Sequence, residues 1–134
     1  MDNSTNLQIV QTLFQYYGQA NVPGFMSLLS PDVVWVEPGD ADIIPYSGTF
    51  TGMAGIGQML GIVAKSVKMK VFTVTGFCTN DDTVTALGYN EAEVLTTGRS
   101  YSGNWVYAFK LSGGKVTHVE VYMDTLTMSR AFVH

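Results

Sequence analysis

The sequence predicts an α+β fold, a curved antiparallel sheet wrapped around three helices, in one domain spanning residues 1–134. Three observations carry that prediction. Apolar residues recur at helical spacing in the first half of the chain. After Lys65 nearly every segment alternates in the manner of a strand. The run Tyr101–Asp124, YSGNWVYAFKLSGGKVTHVEVYMD, sets two aromatic and β-branched stretches around a short Gly-containing loop, which is a hairpin signal.

Taken in order, residues 1–4 read as a polar tail. Thr5-Asn6-Leu7-Gln8 has the T-x-x-Q form of a capping box, whose side chains satisfy two amides at a helix start. Leu7, Val10, Phe14 and Tyr17, widened by Ile9 and Leu13, predict a helix over 5–18 that ends at Gly18. Asn21 caps a short second helix over 22–29, with Pro23 in its first turn and Pro31 as its stop. Asp32–Glu37, DVVWVE, reads as a strand that Pro38-Gly39 breaks. A polar loop through Tyr46-Ser47-Gly48 leads to a third helix over 53–65, with Met53, Ile56, Leu60 and Val63 at helical spacing. Its interior Gly55, Gly57 and Gly61 suit either close packing on a sheet or a helix able to shift over a pocket.

Strands are predicted at 67–79 and 83–95 about a turn at Asn80-Asp81-Asp82. After Gly98-Arg99 comes the hairpin, Gly103–Leu111 and Lys115–Asp124, joined at Ser112-Gly113-Gly114. Residues 125–134 read either as a short helix or as a loose tail.

Composition narrows the partners. The 134 residues are 46% hydrophobic and 13% charged, with a net charge of -4, so some apolar area is expected to be shared with a partner. Seven Lys and Arg without a basic run argue against nucleic acid. No segment has the apolar length of a membrane span, and the N-terminus MDNSTNLQ is unlike a signal peptide. Cys78 stands alone, which makes a reducing, cytoplasmic compartment the default and a small buried hydrophobe its expected role. With only His118 and His134, a His- or Cys-based metal site is not expected, nor is a cofactor.

In the hairpin, Trp105, Tyr107 and Phe109 share a two-residue spacing, as do His118, Glu120, Tyr122 and Asp124. Val106 and Ala108, with Val119, Val121 and Met123, form the opposite stripes.

The segments PYSGTFTGMAGIGQML (45–60), Gly98-Arg99 and GGKVTHVEVYMDT (113–125), in this order of helices and strands, resemble the nuclear transport factor 2-like superfamily. The likeness is closest to its SnoaL-like and ketosteroid isomerase-related members and spans nearly the whole chain. It implies a cone-shaped α+β barrel with a deep pocket between helices and sheet, a fold that hosts isomerases, cyclases, epoxide hydrolases and binding modules alike.

In the steroid isomerases of that fold an Asp base precedes a Pro at the end of the first strand, where Glu37-Pro38 stands here. Their oxyanion-hole positions fall at Leu13 and Val106, which cannot donate a hydrogen bond, with Tyr16 or Tyr17 as neighbouring substitutes. In SnoaL-like cyclases an Asp near the end of the last strand acts as acid or base, and Asp124 stands there. The hydrolases' two Asp with an Arg are not evident, although Arg99 and Asp124 are available. Aligned on the isomerases, Val106, Ala108, Val119 and Val121 face the pocket. Trp105, Tyr107 and Phe109 then face outward, which implies a homodimer through the outer sheet face, with His118 and Glu120 paired across it or solvated.

Glu37 and Asp124 are accordingly the candidate catalytic groups. A carboxylate walled by Trp35, Val36 and Met123 has a raised pKa and can move protons near neutral pH. The plainer alternative is a solvated strand-end carboxylate, and Asp124-Thr125 equally suits a helix cap. Trp35, Tyr46, Tyr17, Met53, Val106 and Tyr122 are the candidate substrate-binding residues, with ordinary core or interface packing as the alternative for the aromatics. The expected ligand is a small, largely apolar carbonyl compound, and the expected chemistry is cofactor-free acid–base isomerisation or cyclisation. A non-catalytic small-ligand binder and a dimeric association module are the alternatives.

Overall fold

A computed structural model describes the backbone of residues 3–134 and the side chains from Thr5 onward. The chain runs α1 (Asn3–Gly18), α2 (Val22–Ser27), β1 (Leu29–Glu37), β2 (Gly48–Thr51), α3 (Gly52–Ser66), β3 (Val67–Asn80), β4 (Thr83–Val94), β5 (Ser100–Ser112), β6 (Lys115–Met123) and α4 (Thr125–Phe132). The predicted elements are all present, and one is added: GTFT forms the short strand β2. Of the two readings of the C-terminal stretch, the short helix is the one formed.

Local chemistry explains most boundaries. The helix α1 is already formed at Asn3, so Thr5 lies in its first turn and the expected capping box does not start it; residues 1–2 of the expected tail lie outside the described residues. Asn21 caps α2 by accepting from the Gly24 amide at 3.0 Å. Pro31 falls inside β1, where the pairing with β6 slips between Leu29 and Val34 and no ladder donor is demanded of it. Asp124 caps α4.

The six strands make one mixed sheet in the order β2-β1-β6-β5-β4-β3. The pair β1–β6 is parallel and the others are antiparallel, which corrects the all-antiparallel expectation. The sheet is open rather than a closed barrel. Helix α3, about 22 Å long at 1.5 Å per residue, leads directly from edge strand β2 to edge strand β3 and holds the ends it joins beyond ladder distance.

The hairpin decides which side chains face inward. Gly113 and Gly114, at φ 57° and 79°, form a two-residue turn between Ser112 and Lys115. Carried straight through, that register would set Trp105 opposite Tyr122. A bulge intervenes: Leu111 pairs with Val116 but Lys110 with His118, leaving Thr117 as the extra residue. Trp105 therefore pairs with Met123, Tyr107 with Val121 and Phe109 with Val119. A one-residue slip moves a whole strand face, so the stripe expected to point outward points into the core. Trp105 is 1% exposed and Phe109 is fully buried.

On β4 the inward stripe is Val84, Ala86, Gly88, Asn90, Ala92 and Val94. Gly88 is required by its neighbour, because a Cβ there would lie 2.0 Å from Cζ2 of Trp105. The Trp105 ring stacks at 5.0 Å on Phe72 and at 5.6 Å on Phe14 of α1. A second buried cluster joins Ile44 and Tyr46 to Tyr101, Met128 and Ala131, so α4 closes one end of the layer between helices and sheet.

Candidate active site

Glu37 is the last residue of β1 and shares its inward face with Trp35, two positions before it. Pro38 and Gly39, the latter at φ 113°, end the strand there and turn the chain away. Asp40 then gathers the loop: its carbonyl accepts from the amides of Ile43 and Ile44, and its carboxylate from the Asp42 amide. Ser47 closes the loop by donating to the Pro38 carbonyl at 2.7 Å. With Ile44 fully buried as the anchor, the loop delivers Tyr46 to the interior.

Glu37, Trp35, Tyr46, Tyr17, Tyr101 and Tyr107 border one cavity of about 60 Å³ between α1, α3, α4 and the sheet. Much of the remaining wall is apolar, with Met59, Leu60, Val63, Phe72 and Met128 among it. Phe14, Tyr17, Leu60, Val63, Met69 and Phe72 also line a wider space of about 580 Å³ opening between the end of α1, α3 and edge strand β3. The inner chamber thus has a mouth on that side.

Glu37 borders this chamber but is otherwise hemmed in by protein. Burial pushes its pKa from 4.5 to about 7, against the opposing pull of the Trp35 indole N–H, which donates to Oε1 at 3.0 Å. The tyrosines move the same way. Burial, then the Glu37 charge, pushes Tyr17 up to about 12. Burial, then neighbouring hydroxyls and Glu37, raises Tyr46, while burial and Glu37 raise Tyr107 well above the ordinary phenol value. Tyr101 is raised by burial, in part offset by its bond with Tyr46. All four stay protonated at neutral pH. The hydroxyls of Tyr46 and Tyr101 lie 2.9 Å apart, both residues being 5% exposed. Whichever donates, the other keeps its proton for a third partner.

The structure brings together Glu37, Trp35, Tyr46 and Tyr17 and places the other expected site residues elsewhere. Asp124 is exposed at the start of α4, accepting from the Thr127 amide at 3.1 Å and its hydroxyl at 2.7 Å. These bonds hold its carboxyl below the usual range, so it is a cap and not a buried acid. Tyr122 is 51% exposed on the outer face and donates to Glu120. Val106 lies opposite Tyr122 on that same outer face, for the register reason given above. Met53 packs half-buried against the main core without reaching the cavity wall.

The proposed dimer surface needs the same correction: Tyr107 borders the chamber while Trp105 and Phe109 lie in the core, so none of the three is available on the outer face. What that face shows instead includes Leu87, Val106 and Tyr122 in one cross-strand row and a His118–Glu120 pair at 3.8 Å. Cys78 is exposed, not buried.

Of the wall residues that carry a polar side-chain group, three were not singled out as pocket residues by the sequence: Tyr101, Tyr107 and Asn90. A signal for Asn90 existed. It is the one polar side chain on an otherwise apolar alternation from Val84 to Val94. Among the described residues no group of three or more His, Cys, Asp or Glu is placed to hold a metal ion, and no helix is long and apolar enough to cross a membrane.

Comparison with known proteins places this arrangement. Residues 10–119 match the SnoaL-like domain. No curated protein matches the chain. Among solved structures, a nuclear transport factor 2-like protein of Burkholderia xenovorans is 28% identical, with 99% of each chain covered and a TM-score of 0.90. Another such protein, of unknown function from Burkholderia pseudomallei, is 23% identical over 100% of each chain, with a TM-score of 0.89. TerC, co-crystallised with polyporic acid, is 25% identical over 96% of this chain and 98% of its own, with a TM-score of 0.86.

Proposed function

The chain belongs to the SnoaL-like domain family, and on that premise we propose that it carries out cofactor-free acid–base chemistry on a small, largely apolar carbonyl compound. The observation that carries this reading is Glu37: a carboxylate raised to about 7 inside an aromatic cavity, among hydroxyls that remain protonated. A general base works best when its pKa lies near the working pH, because it is then often ionised and still basic. TerC's polyporic acid supports an organic occupant for this fold.

The step is a proton transfer. The Glu37 carboxylate removes a proton from the carbon beside the carbonyl, the C–H electron pair moves into the C–C bond, and negative charge develops on the carbonyl oxygen. The free proton of the Tyr46–Tyr101 pair is the donor for that oxygen, a role that Leu13 and Val106 cannot fill. Donors held ready in a site shielded from water are worth far more than donors in solution. Glu37 then returns the proton to the same or another carbon, which isomerises the compound, or the enolate carbon attacks a second carbonyl and closes a ring. Neither outcome changes the oxidation state overall.

The test is exchange of the methyl protons of 2-acetylnaphthalene with deuterated water, followed by proton NMR. The native protein should accelerate exchange, and Glu37→Gln should lower the acceleration by a factor of about 100 or more. Equal exchange in both proteins sinks the reading. Binding without any acceleration favours the non-catalytic binder instead.

A further inference from the structure

The side-chain oxygen of Asn90 has no partner within the described residues. Asn90 is 5% exposed, its Oδ1 is buried, and its side chain borders the chamber. Buried polar groups are almost always paired, so an orphan on a cavity wall marks where a bound molecule completes the set. The space beside it is open. Asn90 faces Gly103 across the β4–β5 ladder, and a Cβ added at Gly103 would meet nothing within 4 Å. The other orphan among the described residues is Nε1 of Trp105, whose indole lies over Gly88, the next inward position along β4. Glu37 comes from β1, with β6 and β5 between it and Asn90.

We propose that Asn90 is a second polar subsite, which selects ligands carrying a hydroxyl at the end remote from the reacting carbonyl. The proposal rests on the reading of Glu37 only for which end reacts. An acceptor without a partner asks for a proton, and a ketone or ether oxygen has none to give. An ammonium group has one, but apart from Glu37 the chamber wall carries no charged side chain to balance it. A neutral hydroxyl meets the orphan in kind, since it donates to an amide oxygen and brings no charge into the apolar wall. The aromatic wall, with Phe14, Phe72, Tyr17 and Tyr107, suits a flat ring system between the two ends. The ligand class is therefore a planar, hydroxylated aromatic ketone.

Two probes differ only in that hydroxyl: 6-acetyl-2-naphthol and 2-acetylnaphthalene. Fluorescence titration at mildly acidic pH, where the naphthol is un-ionised, should show the native protein binding the hydroxylated probe about tenfold tighter. Asn90→Leu should bring the two affinities together without lowering the melting temperature, because it removes an unpaired buried amide. Gly103→Ala should also shrink the preference, by filling the space beside Asn90. Equal affinities in the native protein, a preference that survives Asn90→Leu, or binding of neither probe overturns the proposal. If Asn90→Leu does not fold, the Gly103→Ala result decides. The two readings fail separately: exchange without a hydroxyl preference removes only the subsite, and a preference without exchange removes only the acid–base role of Glu37.

Discussion

The Trp35 indole N–H and the Glu37 carboxylate, two residues apart on one strand, meet at 3.0 Å on the wall of the chamber. Burial and this bond act on Glu37 in opposite senses, and burial prevails. Replacing Trp35 by Phe removes this side-chain hydrogen bond, which favours the charged form, so the carboxyl pKa should rise further above 7. The midpoint of the pH–exchange profile should move to higher pH with it. A midpoint that stays put would show that the bond does not tune the base.

Glu37 also sets a pH dependence of stability, and its sign follows from the direction of the shift. The folded pKa of about 7 lies above the unfolded value near 4.5, so the native state holds the proton more tightly. The contribution of Glu37 to stability is therefore fully present below about pH 4.5 and is lost as pH rises through 7, by about 3 kcal/mol in total. Glu37→Gln should flatten that decline and melt higher than the native protein in mild alkali. Parallel melting curves across this window would contradict a proton-holding Glu37 on the chamber wall.

Tyr46 and Tyr101 should behave as one unit. Either change to Phe leaves the surviving buried hydroxyl without its 2.9 Å partner, at a cost of about 1 kcal/mol in stability. Exchange should fall about 100-fold in each single variant. The double variant should lose little more than either, as groups acting together do. Losses that multiply would assign the two hydroxyls independent roles.

Gly88→Ala tests the packing behind the wall. The new methyl would meet Cζ2 of Trp105 at 2.0 Å and the Thr73 carbonyl oxygen at 2.4 Å, and the second of these is backbone that cannot swing aside. A loss of about 3 kcal/mol or more by denaturant unfolding is expected. A near-neutral result would mean that the Trp105 ring can leave its stack on Phe72 freely.

Helices and strands were legible because periodicity and caps are local, and Asn21 with Pro23 marked α2 to within two residues at its far end. The strand β2 was missed because GTFT is four residues long and runs directly into α3. Glu37 was legible through its position before Pro38. Val106 and the Trp105 stripe were set on the wrong faces for one reason: the bulge at Thr117 carries no sign in the hairpin's own residues. Tyr122 is a different case, because alternation from Val119 and Val121 already puts it on the outer face. Asp124 was ambiguous between acid and cap, and the Thr127 amide and hydroxyl decide for the cap.

An open sheet has two ends at which a strand from another chain can add, and such ends are where proteins aggregate. One end here, β2, offers only four residues. The other, β3, is fourteen residues long, but its pairing with β4 is broken twice, between Met69 and Val71 and between Val74 and Gly76. Lys68 and Lys70 stand exposed along it. A straight incoming strand therefore finds an irregular template guarded by charge. The same edge contributes Val67, Met69, Phe72 and Val74 to the rim of the chamber's mouth. Leaving the ladder unfinished there keeps the doorway open, and the kinks and lysines keep the wrong visitor out.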